Sequence, residues 1–238
     1  MKNIEQLKIK IFADGADKST MMDMAAKSHI QGLTTNPTLM KAAGIRDYRQ
    51  FAKEILTEIQ DKPISFEVFS DEFEEMEKQA LEIASWGKNV YVKIPVTNTR
   101  SVSSAELIKN LVNQEIKLNV TAILTLEQVA EIARCLNPAV PSYVSVFAGR
   151  IADTGRDPLP IMQEALEILK ANKLAELIWA SPRELLNVIQ ANDIGCHVIT
   201  ATPDILKKLS LIGKDLGEFS LDTVKMFHRD AKDAGFDL

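Results

Sequence analysis

Short apolar segments rich in β-branched residues recur along the 238-residue chain at nearly even intervals. The segments between them have helical periodicity. Strands that alternate with helices in this way predict parallel βαβ units. The predicted strands are 7–13, 32–35, 64–69, 89–96, 116–123, 142–148, 176–180 and 197–201. The clearest predicted helices are 73–86, 160–173 and 182–193, and a further helix at about 220–234 follows the last strand.

Eight such units without a flexible linker or a change in composition favour a closed (β/α)₈ TIM barrel, with residues 1–238 forming a single domain. The alternative is an open, doubly wound sheet. It is less favoured because the first predicted strand is not followed by a G-x-G-x-x-G turn.

Several turns after the strands contain residues that typically begin a helix. A capping residue directly before proline occurs at Asn36–Pro37, Ser181–Pro182 and Thr202–Pro203. Capping boxes are predicted for Ser181 with Glu184 and for Thr125 with Gln128. These patterns predict that helices start immediately after the second, fifth, seventh and eighth strands.

Polar residues at alternate positions of the strands predict what lies inside the barrel. In the fourth strand the apolar residues share one face, and Lys93 lies on the other, near the C-terminal end. Because helices cover the outside of a barrel, Lys93 must point inward. The same alternation places these residues on the inner face: Asp14, Thr34, Asn36, Glu67, Asn119, Thr121 and Ser145. We therefore expect a site at the C-terminal ends of the strands, where (β/α)₈ enzymes have their active sites.

A lysine and two carboxyl groups in one enclosed space are compatible with Schiff-base chemistry. Burial favours the neutral amine of a lysine, and a neutral amine condenses with a ketone. The reaction also needs acid–base groups for the substrate hydroxyl and for the imine protons, and Asp14 and Glu67 are the acids predicted inside. Structural alternatives remain open at this point: Lys93 in an ion pair, Asn36 and Ser181 as helix caps, and Phe147 as barrel filling. Arg150 could equally be a solvated surface charge.

Composition narrows the class of protein. The chain has 28 Lys+Arg and 33 Asp+Glu, a net charge of −5, which disfavours general binding to nucleic acid or to an anionic membrane. Two isolated cysteines, Cys135 and Cys196, predict neither a disulfide framework nor a zinc site, and the three histidines show no metal spacing. No signal-peptide core or membrane-spanning apolar run is present, so we expect a cytoplasmic location.

Four motifs, in family order, resemble the transaldolase family: IFADGAD around Asp14, GLTTNPT at 32–38, YVKIPVT at 91–97 and SVFAGRI at 145–151. The resemblance implies a class I barrel with Lys93 as the Schiff-base lysine and Asp14 as the acid/base. It also implies that Glu67 and Thr121 hold the water that passes protons to and from the imine. Implied substrate-binding residues are Thr34, Asn36, Asn119, Ser145, Phe147, Arg150, Ser181 and Arg183, the arginines and Ser181 at the phosphate.

The family includes small aldolases that cleave fructose 6-phosphate, and these carry Gln and Tyr where this chain has Glu67 and Phe147. The resemblance therefore implies a transaldolase that moves a dihydroxyacetone unit from a ketose phosphate to an aldose acceptor. No metal or organic cofactor is expected, because the lysine iminium accepts the electrons. The small aldolases, which are similar in length to this chain, tend to form pentameric or decameric rings through the terminal helix, so the resemblance also implies a homo-oligomer. Two alternatives stay open: cleavage without transfer, and a non-catalytic sugar-phosphate-binding barrel.

The turn after the seventh strand departs from the family pattern. The family usually reads Ser-Phe-Arg or Ser-Phe-Lys and then a few more residues before the helix. Here Ser181 is followed by Pro182, Arg183 and Glu184. This order predicts that the helix starts at once and that Arg183 lies in its first turn.

Overall fold

The computed structural model describes residues 4–237, and its eight parallel strands close into a barrel in chain order, with β1 paired to both β2 and β8. The predicted (β/α)₈ TIM barrel is confirmed, and the open sheet is excluded because the barrel has no free edge. The strands are β1 (Lys10–Asp14), β2 (Ile30–Thr34), β3 (Ile64–Glu67), β4 (Val90–Pro95), β5 (Leu118–Ile123), β6 (Ser142–Val146), β7 (Ala175–Trp179) and β8 (Val198–Ala201).

Helices surround the barrel, and some βα connections carry two of them. They are α1 (Lys18–Ala25), α2 (Pro37–Ala42), α3 (Tyr48–Glu58), α4 (Phe73–Ala84), α5 (Ala105–Asn113), α6 (Leu126–Cys135), α7 (Ala148–Asp153), α8 (Leu159–Leu169), α9 (Leu186–Asp193), α10 (Pro203–Leu206) and α11 (Leu216–Asp233). Short 3₁₀ helices lie at Ile4–Gln6 and Lys207–Leu211. Among residues 4–237 no helix is both long and apolar enough to cross a membrane.

The barrel has two apolar regions, one on each side of its wall. The larger fills the space between strands and helices and includes the outward residues of β4, such as Val90 and Val92. The smaller lies inside the barrel and contains Phe12 and Tyr143, whose rings meet edge to face at 5.5 Å. A Cβ atom on Gly32 would lie 2.5 Å from the Phe12 ring, so glycine leaves the space that the ring needs. The interior is therefore packed toward the N-terminal ends of the strands.

Helix starts agree with the sequence at three of the four predicted positions. The Asn36 side chain accepts a hydrogen bond from the Leu39 amide at the start of α2. Thr125 and Gln128 form the predicted reciprocal capping box of α6. Pro203 is the first residue of α10, as predicted, although the Thr202 side chain makes no capping bond within the described chain.

The predicted start after β7 is wrong. Helix α9 begins at Leu186, so Ser181 and Pro182 do not cap it and Arg183 is not in its first turn. Residues 181–185 form a loop instead, in which Ser181 has a left-handed backbone with φ of 60°. Helix formation is displaced because the Asn187 side chain accepts hydrogen bonds from the backbone amides at 183 and 184.

This loop lies directly against α7. A Cβ atom on Gly149 would lie only 1.6 Å from the carbonyl oxygen of Ser181, so only glycine allows the two backbones to approach this closely. Both Gly149 and Ser181 lie at the C-terminal end of the barrel. The path of the loop after β7 is thus determined by its contact with Gly149 on α7 and by the Asn187 side chain further along the chain.

The C-terminal helix α11 starts at Leu216, a few residues before the predicted start at 220, and ends at Asp233. None of its residues is buried in the described chain. Its apolar side chains include Leu221, Val224 and Phe227, all of them exposed. The helix therefore does not pack over a barrel end of its own chain.

We expect Gly149→Ala to lower the free energy of unfolding by about 1–3 kcal/mol, because the added methyl group forces the loop away from α7. The matched control is Gly15→Ala, where a Cβ would meet no described atom within 4 Å. That variant should stay within about 0.5 kcal/mol of wild type. Chemical denaturation measures both, and equal stabilities would contradict the close contact.

Candidate active site

A cavity of about 410 Å³ opens at the C-terminal ends of the strands. Eleven of the twelve predicted site residues line it: Asp14, Thr34, Asn36, Glu67, Lys93, Asn119, Thr121, Ser145, Phe147, Arg150 and Ser181. They come from strands β1 to β6, from the connections that follow the strands and from the first turn of α7. Strand alternation therefore brings together residues that are as far apart in sequence as Asp14 and Ser181.

Lys93 lies at the centre of this group, and only 6% of its surface is exposed. Its Nζ atom is 3.3 Å from Glu67 Oε2 and donates a hydrogen bond to the Thr35 carbonyl oxygen at 3.2 Å. Residues 67 and 93 are direct register partners on β3 and β4, which fixes the pair. Burial raises the pKa of the Glu67 carboxyl, while the nearby Lys93 charge opposes that increase. The Glu67 carboxyl is thus placed directly beside the Lys93 amine.

Asp14 approaches the same space from the other side of the barrel. Burial raises the pKa of its carboxyl, and the Lys93 charge and a hydrogen bond from Thr34 oppose the increase. The Thr34 hydroxyl donates to Asp14 Oδ1 at 2.8 Å and lies 2.5 Å from the Thr200 hydroxyl. A carboxyl whose pKa is raised toward neutrality is suited to both accepting and donating a proton.

Hydroxyl and amide groups form a second network inside the barrel. Ser145 donates from Oγ to Asn119 Oδ1 at 2.7 Å, and Asn119 donates from Nδ2 to Ser65 Oγ at 2.9 Å. These bonds fix the orientation of the Asn119 amide next to Lys93, its register partner on β4. Buried polar groups held in this way form a rigid surface that a polyhydroxylated ligand can contact.

Thr121 contributes a buried hydroxyl of a different kind. Its Oγ1 atom has no hydrogen-bond partner among the described residues, although it is shielded from solvent. The next residue, Ala122, has a left-handed φ of 61°, and the pairing of β5 with β6 shifts register there. An unsatisfied hydroxyl beside backbone strain at a cavity wall indicates a position kept for function.

A positively charged side chain, Arg150, lies at the rim of the cavity. Arg150 lies on α7 with its guanidinium 5.7 Å from the centre of the Phe147 ring. Within the described chain Arg150 forms no ion pair, so its charge is available to an anion. Phe147, predicted as part of a strand, instead precedes α7 at its N-terminus. Ser181 lines the cavity near this rim.

Arg183 is the one predicted site residue that does not line the cavity within the described chain. Its guanidinium donates to both carboxylate oxygens of Asp153, at 2.9 and 2.5 Å. The remaining nitrogen, Nη1, donates to Ser181 Oγ at 3.0 Å. Arg183 therefore lies behind Ser181, directed toward α7.

Sequence analysis missed Thr200, which lines the cavity and bonds to Thr34. Its signal was present, because Thr200 shares a face of β8 with Val198, which lies in the apolar region inside the barrel. Ser65 lies on the same face of β3 as Glu67. Its contact with Asn119 on β5 reaches across the intervening strand β4, so it depends on how the three strands are aligned. The short sequence HVITA did not by itself indicate which face was internal.

The arrangement provides a buried amine, two carboxyl groups whose pKa is raised by burial, a wall of hydroxyl and amide groups, and an arginine at the rim that forms no ion pair with the described residues. A carbonyl carbon close to Lys93 Nζ would have an acid–base group on either side of it. Amine, acid and base in one enclosed volume are the requirements of imine chemistry.

Comparison with known proteins agrees with this arrangement. A family model described as transaldolase/fructose-6-phosphate aldolase matches residues 11–238. Similar curated proteins include probable transaldolases of Clostridium kluyveri, a Thermoanaerobacter species and Methanococcus maripaludis, which are 36%, 37% and 35% identical to this chain. Each alignment spans 202 residues, 84% of this chain and 89% of the relative. With the barrel, the cavity and nearly the whole sequence in agreement, this chain belongs to the transaldolase/fructose-6-phosphate aldolase family.

Proposed function

We propose that this protein is a class I transaldolase that transfers a dihydroxyacetone unit from a phosphorylated ketose to an aldose acceptor through a Schiff base on Lys93. The observation that carries the proposal is the contact between Lys93 Nζ and Glu67 Oε2 at 3.3 Å in a cavity that also contains Asp14. Family membership and the names of the relatives support it.

In the first half-reaction Lys93 passes a proton to Glu67 and its neutral amine attacks the C2 carbonyl carbon of the ketose. Glu67 then returns this proton to the carbinolamine hydroxyl, which leaves as water and gives an iminium. Asp14 then takes the proton of the C4 hydroxyl, the C3–C4 bond breaks, and its electron pair moves to the iminium to give an enamine. The shortened aldose leaves, and the three-carbon unit stays on Lys93.

In the second half-reaction the enamine carbon attacks the carbonyl of an acceptor aldose. Asp14 returns its proton to the new alkoxide, which restores the hydroxyl group. Water, held by Glu67 and the free hydroxyl of Thr121, adds to the iminium and releases the product. Both half-reactions thus use the same three ionisable groups, and the proton balance closes at each step.

The other lining residues bind the sugar. Thr34, Asn36, Asn119 and Ser145 are suited to the hydroxyl groups of the three-carbon unit, because their side chains form the polar wall beside Lys93. Arg150 and Ser181 are suited to the phosphate at the rim, because a guanidinium and a hydroxyl are strong donors to phosphate oxygens.

We expect borohydride to trap a covalent adduct on Lys93 when the protein is incubated with fructose 6-phosphate, because hydride reduces an iminium to a stable amine. Mass spectrometry of peptides locates the adduct. Lys93→Met should form no adduct and should have no detectable turnover, and Lys88→Met, which changes a lysine outside the cavity, is the matched control. A wild-type protein that stays unmodified while a known transaldolase is trapped would contradict the Schiff base and favour a non-catalytic binder.

We expect Glu67→Gln to fold normally and to form the adduct, but to transfer the three-carbon unit about 10²–10⁴ times more slowly, because glutamine has nearly the shape of glutamate but cannot titrate. Wild-type rate should fall at acidic pH as the raised pKa of Glu67 is crossed and its carboxylate is protonated. The variant should lack that limb of the pH profile.

Glu75→Gln is the matched control, because Glu75 is an exposed carboxylate on α4 in an ion pair with Lys78. It should keep the wild-type rate and pH profile. Full transferase activity in Glu67→Gln would remove Glu67 from the mechanism. Incubation with fructose 6-phosphate alone distinguishes transfer from plain cleavage, since only an aldolase accumulates free dihydroxyacetone without an acceptor.

We further propose a homo-oligomer that covers the apolar side chains of α11. Phe227 remains 63% exposed and Val224 60%, and a row of large apolar side chains on one helix is typical of a protein–protein contact. We expect the Phe227→Asp variant to dissociate to a smaller species, because a charged side chain disfavours burial in the contact. Sedimentation equilibrium measures the mass. His228→Asp adds the same acidic side chain to a neighbouring position of α11 and should keep the wild-type mass. A wild-type monomer would contradict this proposal.

A further inference from the structure

Two arginines lie at or beside the rim of the cavity, and they differ in whether an acidic side chain already pairs with them. Arg150 lines the cavity and, within the described chain, is not in an ion pair. Arg183 is close to the same rim, since its Nη1 atom is 3.0 Å from the hydroxyl of the cavity-lining Ser181. Its other two donor groups are both used by Asp153. A second cation, Arg183, thus lies beside the cavity with its charge already compensated by Asp153.

The carboxylate that compensates the Arg183 charge belongs to the same helix as Arg150. Asp153 is the last residue of α7, the helix that also carries Arg150, and the Arg150 charge lowers the pKa of its carboxyl alongside Arg183. An anion bound at Arg150 would therefore lie near a fixed negative charge. The bidentate geometry of the contact is the arrangement in which a guanidinium binds a carboxylate best, and phosphate offers the same geometry.

Removal of the ion pair between Arg183 and Asp153 should cost little stability. Side-chain exposure is 45% for Arg183 and 52% for Asp153, and exposed pairs contribute little to stability. The loop that carries Arg183 is held independently by Gly149 and Asn187. Loss of the Asp153 carboxylate should therefore free the guanidinium without unfolding the loop.

We propose that Asp153 is a specificity-determining residue that weakens the binding of the substrate's phosphate by holding Arg183 away from it. The inference rests on the proposed function in so far as the natural ligand is a phosphorylated sugar. In this proposal Arg150 and Ser181 bind the phosphate directly, while the Arg183 guanidinium donates its hydrogen bonds to Ser181 and Asp153. The cavity thereby binds its anionic ligand with one arginine instead of two.

The test uses inorganic phosphate as the probe, because its binding does not require catalysis. Isothermal titration calorimetry compares wild type with Asp153→Asn, Asp153→Ala, Arg183→Met and the double variant Asp153→Asn/Arg183→Met. We expect both Asp153 variants to bind phosphate about threefold to tenfold more tightly. Arg183→Met alone should change the affinity less than about twofold, and the double variant should lose the gain, so that the two effects depend on each other.

The matched control is Glu167→Gln, which removes an exposed carboxylate from the ion pair with Lys170 on α8 and should leave phosphate affinity unchanged. With a ketose phosphate as donor, KM should fall in Asp153→Asn, whereas KM for the unphosphorylated ketose should not. That difference separates a charge effect from a general change in the cavity.

Unchanged or weaker phosphate binding in both Asp153 variants would overturn the inference. So would a large loss of affinity in Arg183→Met alone, because Arg183 would then already bind the anion. No phosphate binding in any variant would overturn it as well. Failure of the proposed function has a different signature, since it removes the borohydride adduct on Lys93 and leaves the phosphate isotherms as expected.

Discussion

The ion pair between Lys93 and Glu67 is the interaction on which the rest of the site depends. Neither group is stable inside a barrel alone, because an unpaired buried charge costs several kcal/mol. Together with Asp14 they form a set in which each charge moderates the others, and burial raises the pKa of both carboxyls. The polar groups around them add further hydrogen bonds, and an enclosed amine can thus lie next to two buried carboxyl groups.

Much of this site was predictable because a strand alternates faces and a closed barrel has only one inside. The alternation of apolar and polar residues within each strand correctly predicted that Lys93, Glu67 and Asn119 point into the barrel. No information about contacts between distant residues was needed. The same rule was not sufficient for Thr200, because β8 is four residues long and all four are buried, so its alternation does not identify the inner face.

The loop after β7 shows where the sequence is insufficient. Ser181–Pro182 has the local pattern of a helix start, and in isolation that pattern is a sound prediction. The observed loop depends on Gly149, more than thirty residues earlier, and on Asn187, whose side chain bonds to amides that a helix would have used. Helix α11 is a related case, because the helix itself was predictable from the sequence, whereas none of its residues is buried in the described chain.

The apolar filling of the barrel has a kinetic consequence. Phe12, Tyr143 and Val198 each lie two residues before a polar cavity residue on their strands, so they close the interior below the polar groups. Among the described residues, the cavity therefore opens at the C-terminal ends of the strands, beside Arg150. In the proposed transaldolase, the departing aldose would leave through this opening before the acceptor enters. The proposed mechanism therefore implies ping-pong kinetics, in which a high concentration of acceptor inhibits the enzyme by occupying the empty site.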